Sequence, residues 1–487
     1  TMSHPDRRTF MGSVANGLQG AALASLFSQE FYSNRSTAAE TPHQPTRQAF
    51  DLAPKRTHFK PRAKAVIQLF MQGGPSQVDL FDPKPELDRN HGKSILKDIA
   101  KDLSSPDSAG GLMRSPFRFS QHGHAGTYVS ELLPHLSKHV DDIAVVRSMF
   151  NTHQNHEPAL FKIQSGKLMP GLPSLGSWVT YGLGSENQNL PAYVVLDSPE
   201  GRLPTNSGQN WQSGYLPPLY QGTRMRSQGT PILNLKPETD EPSIVAQLSR
   251  DLLGRLDQIH KAKRPGELQL DARIASYELA ARMQLSASDA LDITQETQHT
   301  VKTYGIGEKE TDSYGRQCLL ARRLVERGVR FVQLFTVGQQ WDNHSNIGTS
   351  LPSICGKTDL PIAGLLADLK QRGLMDDVLV VWGGEFGRLP IAQMRQGNDL
   401  KKAGRDHGPP GFSVWFAGAG VKGGTVYGNT DEIGWNAAED RVSVNDWHAT
   451  ILHALGLHSE ELFFEHHGFK EKLTGVENVR IVDEIFA

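Results

Sequence analysis

Six short apolar runs recur along the chain, at residues 65–71, 143–146, 192–196, 329–335, 378–382 and 412–417. None alternates cleanly between apolar and polar positions, and such runs suit strands buried on both faces, as in a parallel sheet. Helical spacing fills several of the gaps: Leu319, Leu320, Leu324 and Val325 precede one run, and Leu360, Ala363, Leu366 and Leu369 precede another. Strand and helix in alternation predict an α/β sandwich, with a mostly parallel central sheet flanked by helices and ligands at the carboxyl ends of its strands. Two stretches break the alternation. Residues 197–235 are dense in Gly, Pro, Ser and Gln, with Trp211, Tyr215 and Tyr220, and read as a loop-rich excursion on the substrate side. Residues 242–300 place Ile244, Leu248, Leu252 and Leu256 four apart and read as a helical insertion, scaffold rather than site.

Composition narrows the function. The 487 residues are 38% hydrophobic and 21% charged, with 47 Gly and 28 Pro. That is globular and loop-rich, and it excludes a disordered, collagen-like or multi-spanning membrane chain. Fifty-one Lys and Arg against 53 Asp and Glu leave a net charge of −2, so no basic field exists to hold nucleic acid. Nineteen His stand beside only two Cys, so imidazole rather than thiolate must carry any metal chemistry. No CxxC pair is present, which excludes a zinc ribbon. Cys318 is expected in a helix and Cys355 in a Pro/Gly-flanked loop, and their spacing leaves open whether they pair.

The first residues carry a different signal. Arg7-Arg8-Thr9-Phe10-Met11 precedes a mildly apolar stretch at 14–27, a pattern that resembles a twin-arginine export signal and implies a periplasmic or otherwise exported protein. Asp6 and Met11 depart from the residues commoner at their places. Residues 1–40 are assigned to this signal, 41–62 to a polar linker and 63–487 to one large domain. No apolar run reaches the roughly 18 residues that span a bilayer, so no transmembrane anchor beyond the signal is expected.

Polar residues gather just after the apolar runs. Asp342 and His344 follow one run two positions apart, and carboxylate with imidazole suits Zn, Mn or Fe better than Ca or Mg. The alternative is a turn stabilised by Asp342. Glycines surround Glu385 in Gly383-Gly384-Glu385-Phe386-Gly387-Arg388, where the carboxylate either points at a ligand or pairs with Arg388. Gly404-Arg405-Asp406-His407 comes just before another run. His153, His156 and Glu157 crowd one loop, and Ser76, Asp79 and Asp82 follow the first Gly-rich turn. No Gly-x-Ser-x-Gly elbow surrounds Ser76, and neither a P-loop nor GxGxxG is present, so a serine hydrolase of that type and a nucleotide loop are both unexpected. Asp446 is expected to cap a helix, and His448 to be a satisfied histidine rather than a ligand.

The segments Gly73-Gly74-Pro75-Ser76-x-x-Asp79-x-Phe81-Asp82-Pro83-Lys84-Pro85, Trp382 to Arg388, Gly404 to His407 and Asp446-x-His448-Ala449-Thr450-Ile451-Leu452 resemble the DUF1501 family, a sulfatase-like branch of the alkaline phosphatase superfamily. The resemblance runs from about residue 60 to the end. It implies an alkaline-phosphatase-like sandwich with a metal site at the strand ends, where phosphate or sulfate esters are attacked. Sulfatases carry Cys-x-Pro-Ser-Arg with Thr-Gly nine and ten positions after the Cys. Here His156-x-Pro158 is followed by Ser165-Gly166 at those offsets, which places His156 in the nucleophile slot. Asp342, His344 and His407 match the first metal in outline, although the usual Asp-x-x-x-His reads Asp-x-His. The Asp-His-Gly signature becomes Glu385-Phe386-Gly387, which departs from a two-zinc phosphatase site.

The expectation from the resemblance is therefore an exported, metal-dependent hydrolase of sulfate or phosphate esters, small molecules or glycans. It uses one or more divalent ions, Zn or Mn foremost and Ca as a further candidate. Asp342, His344, His407, Asp79 and Glu385 are the expected metal ligands. His156, Glu385, Arg388 and Arg405 are the expected catalytic groups, His156 as nucleophile, base or added ligand and the arginines as neutralisers of the oxyanion. The alternatives are a non-catalytic envelope binding protein that keeps the fold, and a phosphomutase-like isomerase, which needs Ser or Thr at position 156.

Overall fold

The structure is a computed structural model; it describes residues 51–95, 103, 105–198, 203–227, 243–264, 267–397 and 399–487. The export segment and the first ten residues of the linker lie outside the described residues. The chain divides into two compact units, Thr1–Asp51 with Asn234–Glu278, and Leu52–Leu233 with Leu279–Ala487. The first contains a helix at Ser243–Ala262 and the start of another at Leu268–Leu291.

In the second unit all six apolar runs are strands of one sheet. They are β1 (Ala65–Phe70), β2 (Ile143–Phe150), β3 (Tyr193–Asp197), then, after β4 (Thr223–Arg226), β5 (Phe331–Phe335), β6 (Val378–Gly383) and β7 (Phe412–Ala417). Two short strands, β8 (Val426–Tyr427) and β9 (Val442–Ser443), complete it. The order is β8-β2-β7-β6-β1-β5-β3-β4, with β9 also on β2. β6, β1, β5, β3 and β4 run parallel, and β7 alone is antiparallel to its neighbours β6 and β2. β4 lies inside the stretch read as an irregular excursion. Its sequence, Thr-Arg-Met-Arg, buries only Met225, so an edge strand with one inward residue gave no apolar run.

Every residue of β1 is buried, which explains its unbroken apolar pattern. Gln68 is the exception in chemistry, not in burial. Its partner in register on β5 is Gln333, whose amide donates to Gln68 (3.0 Å) and to Gln164 (2.8 Å) and accepts from the Tyr193 hydroxyl (2.6 Å). A buried amide left alone costs about 1–3 kcal/mol, so this network fixes how the helix bearing Gln164 sits on the sheet. That helix, α1 (His156–Ser165), carries His156 at its first position.

Helix α2 (Asp312–Glu326) holds Cys318 as expected, but Cys355 lies inside α3 (Ile347–Gln371), not in a loop. Pro352 and Pro361 are both accommodated within that helix. Its buried face includes Leu351, Ile354, Ile362, Leu365, Leu366 and Leu369. At about 1.5–3 kcal/mol each, their burial outweighs the roughly 3 kcal/mol that an interior proline costs. Both cysteines are free and buried, and burial pushes both thiols up. Ser443 and Asp446 form a capping box at the start of α4 (Val444–Ala454). His448 is fully buried, donates to the Ile163 carbonyl (2.8 Å), and is held by burial down at about 3. Among the described residues, no helix is long and apolar enough to cross a membrane.

Candidate metal centre

Parallel strands deliver the loops that follow them to one edge of the sheet. The loops after β1, β5 and β6 bring Gly73, Asp342 with His344, and Glu385, while the loop after β2 brings His156 at the start of α1. His407 precedes β7 in sequence, and the antiparallel direction of β7 puts that end at the same edge. Two glycines make room. Gly73 has φ +115, and a Cβ there would stand 2.5 Å from the Asp342 nitrogen; a Cβ on Gly404 would stand 2.1 Å from the His344 carbonyl carbon. The loop that carries Asp342 and His344 is thus packed between glycine backbones.

His156, Asp342, His344 and His407 each offer a ligand atom within 4.8 Å of the others. The three imidazoles are arranged alike. Nδ1 of His156 faces Glu385 (2.6 Å), Nδ1 of His407 donates to the Gln154 carbonyl (2.7 Å), and Nδ1 of His344 meets the Gln393 side-chain oxygen. Each Nε2 then turns inward onto Oδ1 of Asp342, at 3.2, 2.8 and 3.3 Å for His156, His344 and His407. Outer acceptors of this kind fix the tautomer and aim the other nitrogen's lone pair at a metal.

The electrostatics follow from that convergence. Burial works against the charge of Asp342, but the three histidines and the Arg388 guanidinium outweigh it and hold the carboxyl far below the usual range. Burial also opposes charge on His156, yet Asp342 and Glu385 together raise it to about 9. His407 is pushed down to about 4, chiefly by burial and further by the charges of Arg388 and His156. Nε2 of His156 is buried with no hydrogen bond of good geometry among the described residues. Lone pairs on three nitrogens and a carboxylate oxygen converge on one point, where they could hold a cation. Without a metal, a proton on His156 is the stand-in. Three imidazoles and one carboxylate fit a transition-metal ion.

Glu385 and Arg388 act one layer out. Glu385 is fully buried, and besides His156 its carboxylate accepts the Gly73 N–H (3.0 and 3.2 Å). Arg388 is equally buried. It donates to Asp342 (2.6 Å), the Gly74 carbonyl (3.0 Å), the Arg405 carbonyl (3.2 Å) and the Gly73 carbonyl.

The profile of the DUF1501 family, described as "Protein of unknown function (DUF1501)", matches residues 63–486. The chain belongs to the DUF1501 family. No curated protein matches it. Among solved structures, it is similar to Ps i-CgsB at 12% identity, over 83% of this chain and 73% of that one, with a TM-score of 0.36. It is also similar to the PsFucS1 sulfatase from Pseudoalteromonas sp. (11% identity, 92% and 72% covered, TM-score 0.33). A third is an alkaline phosphatase from the Antarctic bacterium TAB5 (10% identity, 82% and 99% covered, TM-score 0.32).

In this DUF1501 chain the structure brings Asp342, His344 and His407 together, and adds His156 to them. Both nitrogens of His156 point at carboxylates, Nε2 at Asp342 and Nδ1 at Glu385, and it stands among the four residues that could hold an ion. Among the described residues, Glu385 meets the cluster at His156. Asp79 is not near it: this fully buried carboxylate takes Arg405 Nε (2.6 Å) and Nη2 (3.0 Å) and the Ser76 hydroxyl (2.5 Å). Arg405 and Arg388 are both fully buried, and every guanidinium nitrogen of each has a hydrogen-bond partner within the chain. Ser76 is likewise occupied and buried. Sequence reasoning did not find Gln393 or the Gln154 carbonyl. Neither carries a signal, because a glutamine in a short strand and a backbone oxygen are ordinary in any chain.

Proposed function

We propose that this chain is an exported, metal-dependent hydrolase of sulfate or phosphate esters, with glycans among the carriers of those esters. The observation that carries the reading is the turning of three imidazole Nε2 atoms onto the Asp342 carboxylate, each Nδ1 anchored from behind. A divalent ion there supplies Lewis-acid polarisation of the ester and a lowered pKa for an attacking water. The chain's own residues do the rest. Glu385, Gln393 and the Gln154 carbonyl hold the Nδ1 protons of His156, His344 and His407, and Arg388 steadies Asp342 and offsets its charge. The nitrogen-rich set favours Zn or Mn over Ca. Paired arginines at Arg7-Arg8 support export.

One observation favours a second reading. Four protein donors lie close enough to hold one ion between them, the number found in structural zinc sites, and would suit a non-catalytic envelope protein that uses its ion for stability. Elemental analysis of the purified chain, with a panel of sulfate and phosphate monoesters and diesters, separates the two. The hydrolase reading expects about one transition-metal ion per chain and ester hydrolysis, both lost in Asp342→Ala. Bound metal with no hydrolysis anywhere on the panel gives the second reading, and a folded wild-type chain that takes up no metal sinks both.

A further inference from the structure

A pocket of about 730 Å³ adjoins the metal centre and is not part of it. The two share a wall. Gln154, whose carbonyl anchors His407, lines the pocket, as does Asn151, whose amide donates to the Glu385 carbonyl (2.8 Å). Pro409 and Pro410, just past His407, also line it, as do Ile433 and Trp435. Such a volume lies within the roughly 300–1,000 Å³ of sites that enclose an organic ligand, and a bare sulfate or phosphate needs far less.

The chemistry of the lining is uncharged where it is free. Among the described residues, no Lys or Arg lines the pocket. Its one carboxylate, Asp431, is spent on the chain itself, accepting the N–H groups of Ile433 (3.3 Å), Trp435 (2.8 Å) and Asn436 (2.9 Å) and the Asn436 amide (3.1 Å). His153 accepts the Asn155 N–H at Nδ1 (3.0 Å), which leaves Nε2–H as a neutral donor. Thr152, Gln154 and Asn436 are exposed and add a hydroxyl and two amides. Neutral donors and acceptors set between proline, isoleucine and tryptophan surfaces complement a ring with hydroxyl edges and C–H faces. They offer nothing to a second anionic group.

We propose that this pocket binds an uncharged, hydroxyl-rich ring system, a neutral saccharide, as the organic part of the ester whose anionic group meets the ion. The proposal rests on the hydrolase reading only for what that saccharide is attached to. It makes the pocket the specificity site, and it excludes nucleotides and polyanionic chains as occupants.

The test is saturation-transfer NMR on the full chain, metal-loaded and chelator-treated, with maltose, cellobiose and lactose as probes and AMP as competitor. At least one disaccharide is expected to receive saturation in both preparations, at least fivefold less in Asn436→Trp, with no displacement by equimolar AMP. Thr152→Trp, on the loop after β2, gives the same reading if Asn436→Trp does not fold by circular dichroism. No transfer to any of the three sugars, displacement by AMP, or full binding retained in both folded variants overturns the proposal. The two readings fail separately. Sugar binding by a chain that neither holds metal nor hydrolyses esters supports the pocket and removes the hydrolase, whereas ester hydrolysis without sugar binding overturns the pocket and keeps the hydrolase.

Discussion

Breaking the Asp79–Arg405 pair tests whether these two residues hold the structure or perform chemistry. Both are fully buried, and two hydrogen bonds of 2.6 and 3.0 Å join them. Arg405 also donates to the Met113 carbonyl (3.0 Å), and its own carbonyl accepts from Arg388. Arg405→Met leaves the Asp79 charge buried with the Ser76 hydroxyl as its remaining partner, a loss of about 3–5 kcal/mol by analogy with other severed buried pairs. Against a typical total of about 5–15 kcal/mol, that is a large fraction of the stability. Asp79→Leu should cost a similar amount by stranding the guanidinium. The double variant, with two apolar side chains in contact, should cost at least about 2 kcal/mol less than the two single changes added together, because no charge is then left unpaired. Urea unfolding followed by circular dichroism gives all four corners of the cycle. Single losses under about 1 kcal/mol, together with abolished ester hydrolysis in a fully folded chain, would refute the structural assignment and return both residues to the catalytic site.

Three further outcomes follow from the metal centre. Because His156 is raised to about 9 without metal, an incoming ion must displace its proton; affinity should fall about tenfold per pH unit on going from pH 8 to 6, with about one proton released per ion. Calorimetry in two buffers of different ionisation heat counts that proton, and a pH-independent affinity contradicts the assignment. Glu385→Gln should weaken metal binding by about 10–100-fold when measured above pH 9, where proton competition no longer confuses the comparison; unchanged affinity there would mean that Glu385 does not tune His156. Gly73→Ala should lower the melting temperature and abolish metal uptake, since a Cβ 2.5 Å from the Asp342 nitrogen forces the ligand loop aside; normal metal content in that variant argues against the close packing.

How much of this was legible depends on what each residue type can signal. The central strands announced themselves because both faces are covered, so β1, β5 and β6 read as continuous apolar runs, and the register Gln68↔Gln333 sits within them. β4 did not, because an edge strand with a single buried methionine resembles loop. Cys355 was misplaced because proline signals a helix end only where packing does not decide, and the buried face of α3 decides here. The direction of β7 could not be read at all. An apolar run has no arrow, and only pairing with β6 and β2 shows that His407 reaches the ligand edge from the opposite chain direction.

The site divides along the same line. Histidine and aspartate clustered after strands are visible as residue types, so Asp342, His344 and His407, which the structure brings together, could be singled out as candidates. Which carboxylate faces the ion and which faces a guanidinium is not visible, because Asp79, Asp342 and Glu385 look alike until their partners are known. Their partners separate them. Asp79 is matched one-to-one by Arg405 and needs nothing more. Glu385 is shared between an amide N–H and an imidazole. Only Asp342 faces three nitrogens whose other protons are already committed. A carboxylate that three such imidazoles converge on is a position that could hold an ion, and that convergence, rather than any motif, separates Asp342 from its two neighbours.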